Sequence, residues 1–433
     1  MKTNKKLILL VSALIILSIT GWKLLTKKTV VSKTGLYESN INYVSNTKDK
    51  SADNFINTVK EQLDQNGDNT NLYVKLGSAY IQKARETFDP NYYSSAEDAL
   101  EKAIKMNGSN TDAMSLLASV YLSRHDFKDA LELGKKALAI DPYNAYTYTI
   151  LVDAQNELGM YDEAVASAQK MVDLKPNLSA YSRISYIREL HGDIDGAIDA
   201  MKMAVDAGAP RTENLAWVEV QLANLYYIKG DIKSAEHYYE SSTNNVIDYT
   251  HGLGGLAKIA LYNKDYNRAI KLYTEALKTT QLPEYLIALG DSYTLAGQND
   301  KANEQYDKVK FALTMLKNKG IETDIELAIF NADHKKNIEN SIEKVEASLK
   351  DGSKSVKTFH ALAWLNFKKG DYIKAKENIL QALRLGSKDP LMLFHAGKIL
   401  EKNGETEKAN EYLSQSLKIN PNYQALFENQ EKL

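Results

Sequence analysis

The chain has 433 residues, 25% of them charged, and a formal net charge of −2, so it offers no extended basic surface and we expect no nucleic-acid partner. It contains no cysteine, which excludes disulfides, thiolate metal sites and thiol catalysis. Glycine and proline number only 22 and 7, so little of the chain can form irregular loops.

The N-terminus has the pattern of an export or anchor segment. Three lysines within the first six residues precede an apolar stretch that extends over residues 7–25. This stretch is close to the roughly 20 residues that span a bilayer if Lys23 extends to the interface. A basic start and an apolar stretch are also typical of a signal peptide, although no A-x-A cleavage site follows. Residues 1–25 are therefore predicted to be a signal anchor or a signal peptide, and the anchor would be one hydrophobic helix.

The location of the protein follows from that choice. An anchored chain would stay at the membrane with the rest of the protein outside the cytoplasm, in the periplasm or at the cell surface. A cleaved chain would be secreted. Residues 26–50 are polar without helical periodicity and are interpreted as a spacer. Within residues 51–70 an amphipathic helix is predicted to cap the array that follows. Its apolar face consists of Phe55, Ile56, Val59 and Leu63.

From residue 71 to residue 421 one helix-pair pattern recurs with a step close to 34 residues. The first helix of a pair carries a large apolar residue, then a small one, and often a tyrosine three positions later. Four pairs show it clearly: Leu76-Gly77-x-x-Tyr80, Leu117-Ala118-x-x-Tyr121, Leu222-Ala223-x-x-Tyr226 and Leu289-Gly290-x-x-Tyr293. The second helix carries an alanine at a matching place: Ala130, Ala164, Ala197, Ala235, Ala269, Ala302, Ala375 and Ala409. A fixed period of this size predicts an all-α solenoid of stacked hairpins without a sheet.

The turn residues agree with this interpretation. A glycine that can adopt a left-handed conformation ends the first helix in six pairs: Gly159, Gly192, Gly230, Gly297, Gly370 and Gly404. An aspartate suited to capping opens the second helix in four: Asp193, Asp231, Asp265 and Asp371. A proline follows the second helix in four: Pro142, Pro176, Pro210 and Pro421.

The combined pattern resembles the tetratricopeptide repeat (TPR) family over residues 71–421, with about ten repeats. The resemblance implies a right-handed superhelix whose first helices line a concave groove. The unit at residues 321–355 is degenerate, because Asn340 stands where the alanine of the second helix belongs. Residues 87–94 are interpreted as an insertion, and residues 208–214 and 310–320 as lengthened helices or loops. Residues 422–433 are predicted to form a partial capping helix.

The family geometry also implies which side chains face the groove. Aromatic rings mixed with amides and charges suit the capture of a peptide, because rings supply apolar anchors and polar groups fix a backbone. The alternative is that many of these rings pack between neighbouring helices. The candidate binding residues are Tyr146, Thr149, Asp153, Tyr186, Trp217, Asn224, Tyr227, Lys258, His360, Trp364, Phe367, Phe394 and Lys398.

Motifs for catalysis or cofactor binding are not found. No H-E-x-x-H, G-x-x-x-x-G-K-[ST] or G-x-S-x-G pattern occurs, and we expect no metal, no cofactor and no enzymatic activity. His360 and His395 belong to neighbouring first helices and are expected to approach each other. The glycine-rich stretch at residues 251–256 opens a repeat helix, so it indicates close helix packing or a local bend rather than phosphate binding.

The sequence thus favours a membrane-tethered, non-catalytic scaffold that binds a protein or peptide through its concave groove. The alternative is a structural subunit of a bacterial envelope or secretion assembly, which would use its convex surface or its edges. The sequence assigns neither the identity of the partner nor an oligomeric state.

Overall fold

The computed structural model describes residues 51–321, 323–334 and 336–421, which belong to one compact unit. The described residues form 21 α-helices and no strand. The predicted signal or anchor helix, the spacer and the C-terminal capping helix lie outside the described residues. Within the described ranges, no helix combines the length and the apolar character needed to cross a bilayer.

Helix α1 spans Ser51–Asn66, and its apolar residues pack against the first of ten helical hairpins. The first helices of hairpins 1–10 are α2 (Thr70–Thr87), α4 (Thr111–Ser123), α6 (Ala145–Glu157), α8 (Leu178–Leu190), α10 (Glu213–Lys229), α12 (Thr250–Tyr262), α14 (Pro283–Leu295), α16 (Asp324–Asp333), α18 (Val356–Lys369) and α20 (Pro390–Lys402). The second helices are α3 (Asn91–Met106), α5 (Phe127–Ile140), α7 (Tyr161–Leu174), α9 (Ile194–Asp206), α11 (Ile232–Asn245), α13 (Tyr266–Ala276), α15 (Asn299–Asn318), α17 (Ile338–Lys350), α19 (Tyr372–Ala382) and α21 (Thr406–Ile419).

The turns and caps predicted from the sequence are confirmed. All six turn glycines have positive φ, between 73° and 90°. The four capping aspartates each accept a hydrogen bond from the backbone amide three residues later. The same left-handed conformation occurs at His125 and Lys264, which replace glycine in two other turns. The hairpins therefore end and begin where local backbone chemistry dictates.

The hairpins stack through the small residues that the sequence singled out. All eight alanines of the second helices are at most 2% exposed. Consecutive first helices lie closer to each other than consecutive second helices do, so the first helices line the concave face. The all-α solenoid is thus confirmed.

Two local predictions needed correction, and a third, that residues 208–214 and 310–320 are lengthened helices or loops, was confirmed. In hairpin 8 the buried residue at the alanine position is Ser341, which is 2% exposed and accepts a hydrogen bond from Asn331 Nδ2 at 2.8 Å. Asn340 is exposed instead. The left-handed turn residue that precedes this helix is Asn337, and its position determines which side of the helix faces the interior. In hairpin 1 the extra residues lengthen α2, and only residues 88–90 form the turn. Residues 310–320 mostly extend α15, whereas residues 207–212 are a loop.

A second kind of contact joins hairpins that are distant in sequence. We call it the seam: the turns within hairpins 1–5 touch the joints that follow hairpins about five further along. Tyr161 OH accepts a hydrogen bond of 2.8 Å from the backbone amide of Val356, 195 residues away. Asn420 Nδ2 donates to the carbonyl of Tyr227 at 2.9 Å. About five hairpins therefore complete one superhelical turn, and successive turns stack directly.

Two turn glycines allow the backbones to approach at the seam. A Cβ atom added to Gly159 would overlap the carbonyl of Lys354, and one added to Gly192 would overlap the carbonyl of Gly386. Gly297 and Gly404 have equivalent conformations, with φ of 73° and 77°, but a Cβ atom there would meet no described atom within 4 Å. The seam thus requires glycine for a reason that is independent of backbone conformation.

This difference predicts unequal effects of the same substitution. Glycine-to-alanine changes at all four positions carry a left-handed backbone penalty of about 1–2 kcal/mol each. We expect Gly159→Ala and Gly192→Ala to lose a further ~1–3 kcal/mol from overlap at the seam. Thermal unfolding of the four variants measures this, with Gly297→Ala and Gly404→Ala as matched controls. Equal losses in both pairs would show that the seam is not a packed contact.

A pocket on the concave face

Three consecutive first helices, α10, α12 and α14, form a pocket of about 290 Å³ on the concave face. Its lining consists of Trp217, Val220, Gln221, Asn224, Tyr239, His251, Gly254, Gly255, Lys258, Tyr273, Glu284, Tyr285 and Ala288. Trp217 is 40% exposed, whereas Tyr239 and Tyr273 from the second helices are buried. The pocket therefore combines an accessible indole with a floor of rigid, buried rings.

Two adjacent glycines of α12 shape the pocket. A Cβ atom added to Gly254 would overlap the ring of Tyr285, and one added to Gly255 would overlap the ring of Tyr239. The rings occupy the space of the missing side chains and lie directly on the helix backbone. The prediction that the glycine-rich stretch serves close helix packing is thus confirmed.

Lys258 is, with Glu284, one of the two charged side chains that line the pocket. Its Nζ atom lies 3.4 Å from Asn224 Oδ1 and 5.3 Å from the centre of the Tyr227 ring. Asn224 Oδ1 also accepts a 2.6 Å hydrogen bond from Tyr239 OH. Burial lowers the pKa of Lys258 below its usual range. Among the described residues no carboxylate forms an ion pair with this ammonium group, so its charge is only partly compensated.

His251 and Tyr285 close one side of the pocket. His251 Nδ1 and Tyr285 OH share a hydrogen bond of 2.8 Å, and burial lowers the pKa of His251 to about 4. The imidazole is therefore neutral at neutral pH. The ring of Phe88, from the turn of hairpin 1, meets His251 edge-on at 5.3 Å. The seam thus brings the first hairpin to the rim of a pocket built by hairpins 5–7.

The structure brings three predicted groove residues, Trp217, Asn224 and Lys258, together in this pocket, and Tyr227 adjoins Lys258. His251, Glu284 and Tyr285 were not among the candidates. A signal for His251 was present, since it lies 34 residues after Trp217 and 34 before Tyr285. The two tyrosines of the floor belong to second helices, which the family geometry does not place in the groove.

The candidates in hairpins 3 and 4 lie elsewhere. Tyr146 is 41% exposed, but Thr149 is buried and donates to the carbonyl of Tyr146 at 2.5 Å. The carboxylate of Asp153 accepts two hydrogen bonds from Arg183, one from Nη2 at 2.6 Å and one from Nε at 2.9 Å. Tyr186 lies at the seam beneath Lys357, whose Nζ is 5.2 Å from the ring centre. These side chains mostly serve internal contacts.

The candidates in hairpins 9 and 10 form a stacked cluster. Trp364 is buried, stacks on His395 at 3.5 Å and on Phe367 at 5.0 Å, and donates from Nε1 to Asp333 Oδ1 at 2.8 Å. His360 Nε2 and His395 Nδ1 are 2.9 Å apart, which confirms the expected approach of the two histidines. Trp364 therefore has its ring and its N–H engaged within the protein.

The two remaining candidates of this region add nothing to a shared pocket. The ring of Phe394 lies 6.3 Å from that of His395. Lys398 forms an ion pair of 3.1 Å with Glu401 on its own helix. No group of three or more potential metal ligands occurs among the described residues.

Comparison with known proteins identifies the repeat. Models of the tetratricopeptide repeat family match residues 82–145 and 255–313, residues 122–184, and residues 356–388 and 391–423. A TPR repeat-containing protein of Methanocaldococcus jannaschii is 24% identical over 384 residues, which cover 76% of this chain and 67% of the relative. Tetratricopeptide repeat protein 21A of Mus musculus is 24% identical over 264 residues, which cover 54% of this chain but 20% of the relative.

Among solved structures, the human IFIT1 dimer with PPP-AAAA superposes with a TM-score of 0.50 at 15% sequence identity. The superposition covers 77% of this chain and 78% of that chain. At this level of identity the likeness concerns the fold alone.

The partly compensated charge of Lys258 predicts a stability effect. Lys258→Met keeps the aliphatic stem and removes a charge whose burial opposes folding, so we expect stability to rise by about 1 kcal/mol. Arg183→Met is the matched control on the same concave face, because its guanidinium is paired with Asp153. That variant should lose about 1 kcal/mol. Chemical denaturation checks both values, and destabilisation by Lys258→Met would contradict the interpretation.

Proposed function

Because the chain belongs to the tetratricopeptide repeat family, we propose that it is a non-catalytic scaffold that holds an extended segment of a partner protein in the pocket of hairpins 5–7. The pocket is the observation that carries this proposal. An indole that is 40% exposed, a lysine without a carboxylate partner in the described residues, and two side-chain amides meet there. Its volume of about 290 Å³ suits one or two side chains rather than a folded domain.

The polar groups of the pocket define the chemistry of the segment. Lys258 Nζ, Asn224 Nδ2 and the Gln221 amide can all donate hydrogen bonds into the same space. Of these, Asn224 Nδ2 and the Gln221 amide make no hydrogen bond to another described residue. A carboxylate, from an acidic side chain or a chain end, accepts from several donors at once and compensates the lysine charge. An apolar neighbour of that carboxylate would pack on Trp217.

Selection from a random peptide library on the full-length protein tests this proposal. We expect enriched peptides to carry an acidic residue next to an apolar one. Trp217→Ala should weaken their binding by roughly 2 kcal/mol, or about 30-fold in Kd. Lys258→Met should remove the preference for the acidic residue and the dependence of binding on salt. Fluorescence anisotropy with one selected peptide measures both effects.

Tyr146→Ala is the matched control for Trp217→Ala, because Tyr146 is an equally exposed concave aromatic outside the pocket. Its binding should equal that of the unmodified protein. If Tyr146→Ala weakens binding as much as Trp217→Ala, or if neither pocket variant changes it, the pocket is not the binding site.

We also propose that residues 7–25 tether this scaffold to a membrane, with the hairpins outside the cytoplasm. The support is the basic start and the apolar stretch of the sequence. A reporter that is active only outside the cytoplasm, fused after Leu433, should be active and should sediment with membranes. A matched variant without residues 7–25 should lose export. Activity of a reporter that functions only in the cytoplasm would reverse the proposed orientation, and release into the medium would indicate cleavage.

A further inference from the structure

The seam uses two kinds of surface, and each half of the array has both. Hairpins 1–5 contribute their turns and hairpins 6–10 contribute the joints that these turns cover. The opposite surfaces remain on the outside: the joints that follow hairpins 1–4, and the turns within hairpins 6–10. We call these the free joint edge and the free turn edge. They are the same two complementary surfaces that already pack on each other within the chain.

The free joint edge carries an exposed apolar residue on each of three successive hairpins. Met106, Ile140 and Leu174 are the last residues of α3, α5 and α7, stand 34 residues apart, and are 45%, 48% and 37% exposed. Tyr143, in the joint after α5, is 78% exposed. Ile419 occupies the same place on α21, but there the turn glycine Gly230 lies against its carbonyl. In hairpin 10 the seam therefore covers the end of the second helix, which is uncovered in hairpins 1–3.

The free turn edge is equally uncovered. In the described residues no atom lies within 4 Å of a Cβ atom built on Gly297, Gly370 or Gly404, whereas the seam glycines Gly159 and Gly192 meet backbone. Ile373, in the first turn of α19 beside Gly370, is 70% exposed. This edge presents turn glycines like those through which the covered turns pack, together with an exposed apolar side chain.

We infer that the protein associates with itself head to tail: the free turn edge of one copy stacks on the free joint edge of the next. The contact repeats between copies the packing that hairpins 1–5 make with hairpins 6–10 within a copy. The partner is thus a second copy of this chain. Because the two surfaces differ, the interface is heterologous and does not close into a dimer, so further copies add in the same direction. The apolar residues and the turns that they would meet both recur once per hairpin.

Sedimentation velocity of the full-length chain tests this inference. A mild detergent, common to all samples, keeps residues 7–25 from driving association. The unmodified protein should grow with concentration in steps of one 48.5 kDa chain. The double variant Ile140→Glu, Leu174→Glu blocks the free joint edge, and Ile373→Glu blocks the free turn edge. Each should raise the apparent dissociation constant at least tenfold.

Mixing the two blocked variants gives the decisive measurement. Each retains one intact edge, so an equimolar mixture should form a one-to-one dimer and nothing larger. Phe311→Glu is the matched control, because Phe311 is 69% exposed in the middle of α15 and lies on neither edge. Its association should be unchanged. Circular dichroism checks that each variant is folded. If the double variant does not fold, Tyr143→Glu is used in its place to block the free joint edge.

Three results would overturn the inference. The first is an unmodified protein that stays a single chain at the highest attainable concentration. The second is association that neither edge variant weakens, which would place the contact elsewhere. The third is a mixture of the two variants that fails to form the one-to-one dimer.

Discussion

The structure depends on the contact between a small residue on one helix and a large side chain on the next. Each buried alanine of a second helix, and glycines such as Gly77 and Gly290 in first helices, leave a notch that a neighbour fills. A Cβ atom at Gly77 would overlap Leu100, and one at Gly290 would overlap the ring of Tyr306. These two notches set the distance between the helices of one hairpin, and a Cβ atom at Gly134 of α5, which would overlap Leu151 of α6, shows the same contact between hairpins 2 and 3. A single hairpin cannot bury its apolar face alone, so the array depends on both kinds of contact.

The concave pocket is a variation of the same contact. At Gly254 and Gly255, tyrosine rings from α14 and α11 respectively occupy the space that side chains would fill. The pocket lies beside these rings. Lys258 lines the pocket, with the amide oxygen of Asn224 and the ring face of Tyr227 as its neighbours. Burial lowers the pKa of Lys258. A buried charge without a close counter-charge opposes folding. Packing does not require this lysine, so its presence supports the proposal that the pocket binds a partner.

The turn glycines serve two separate physical roles. In every hairpin that has one, glycine supplies the left-handed residue that ends the first helix. In hairpins 3 and 4 the same atom also permits backbone contact with a joint about 195 residues later in the sequence. Besides hydrogen bonds between turns and joints, the seam includes an ion pair between Lys357 and Glu157, a few ring contacts and one small apolar cluster of Tyr161, Leu190 and Val356. It is thus much less extensive than the contacts between neighbouring hairpins. The joints and turns that take no part in the seam form the free joint edge and the free turn edge.

The sequence by itself determined the features that repeat every 34 residues: the hairpins, the turn glycines, the capping aspartates, the buried alanines and the common face of Trp217, Asn224 and Lys258. These are predictable because each depends on residues within one or two hairpins, and repetition makes the local signal visible. The tertiary structure alone decided that Asp153 is paired with Arg183 and that Trp364 is enclosed by its neighbours. It also decided which hairpins meet at the seam. Which hairpins meet depends on the small rotation between successive hairpins, added up over about five of them. No local pattern of residues indicates this total rotation.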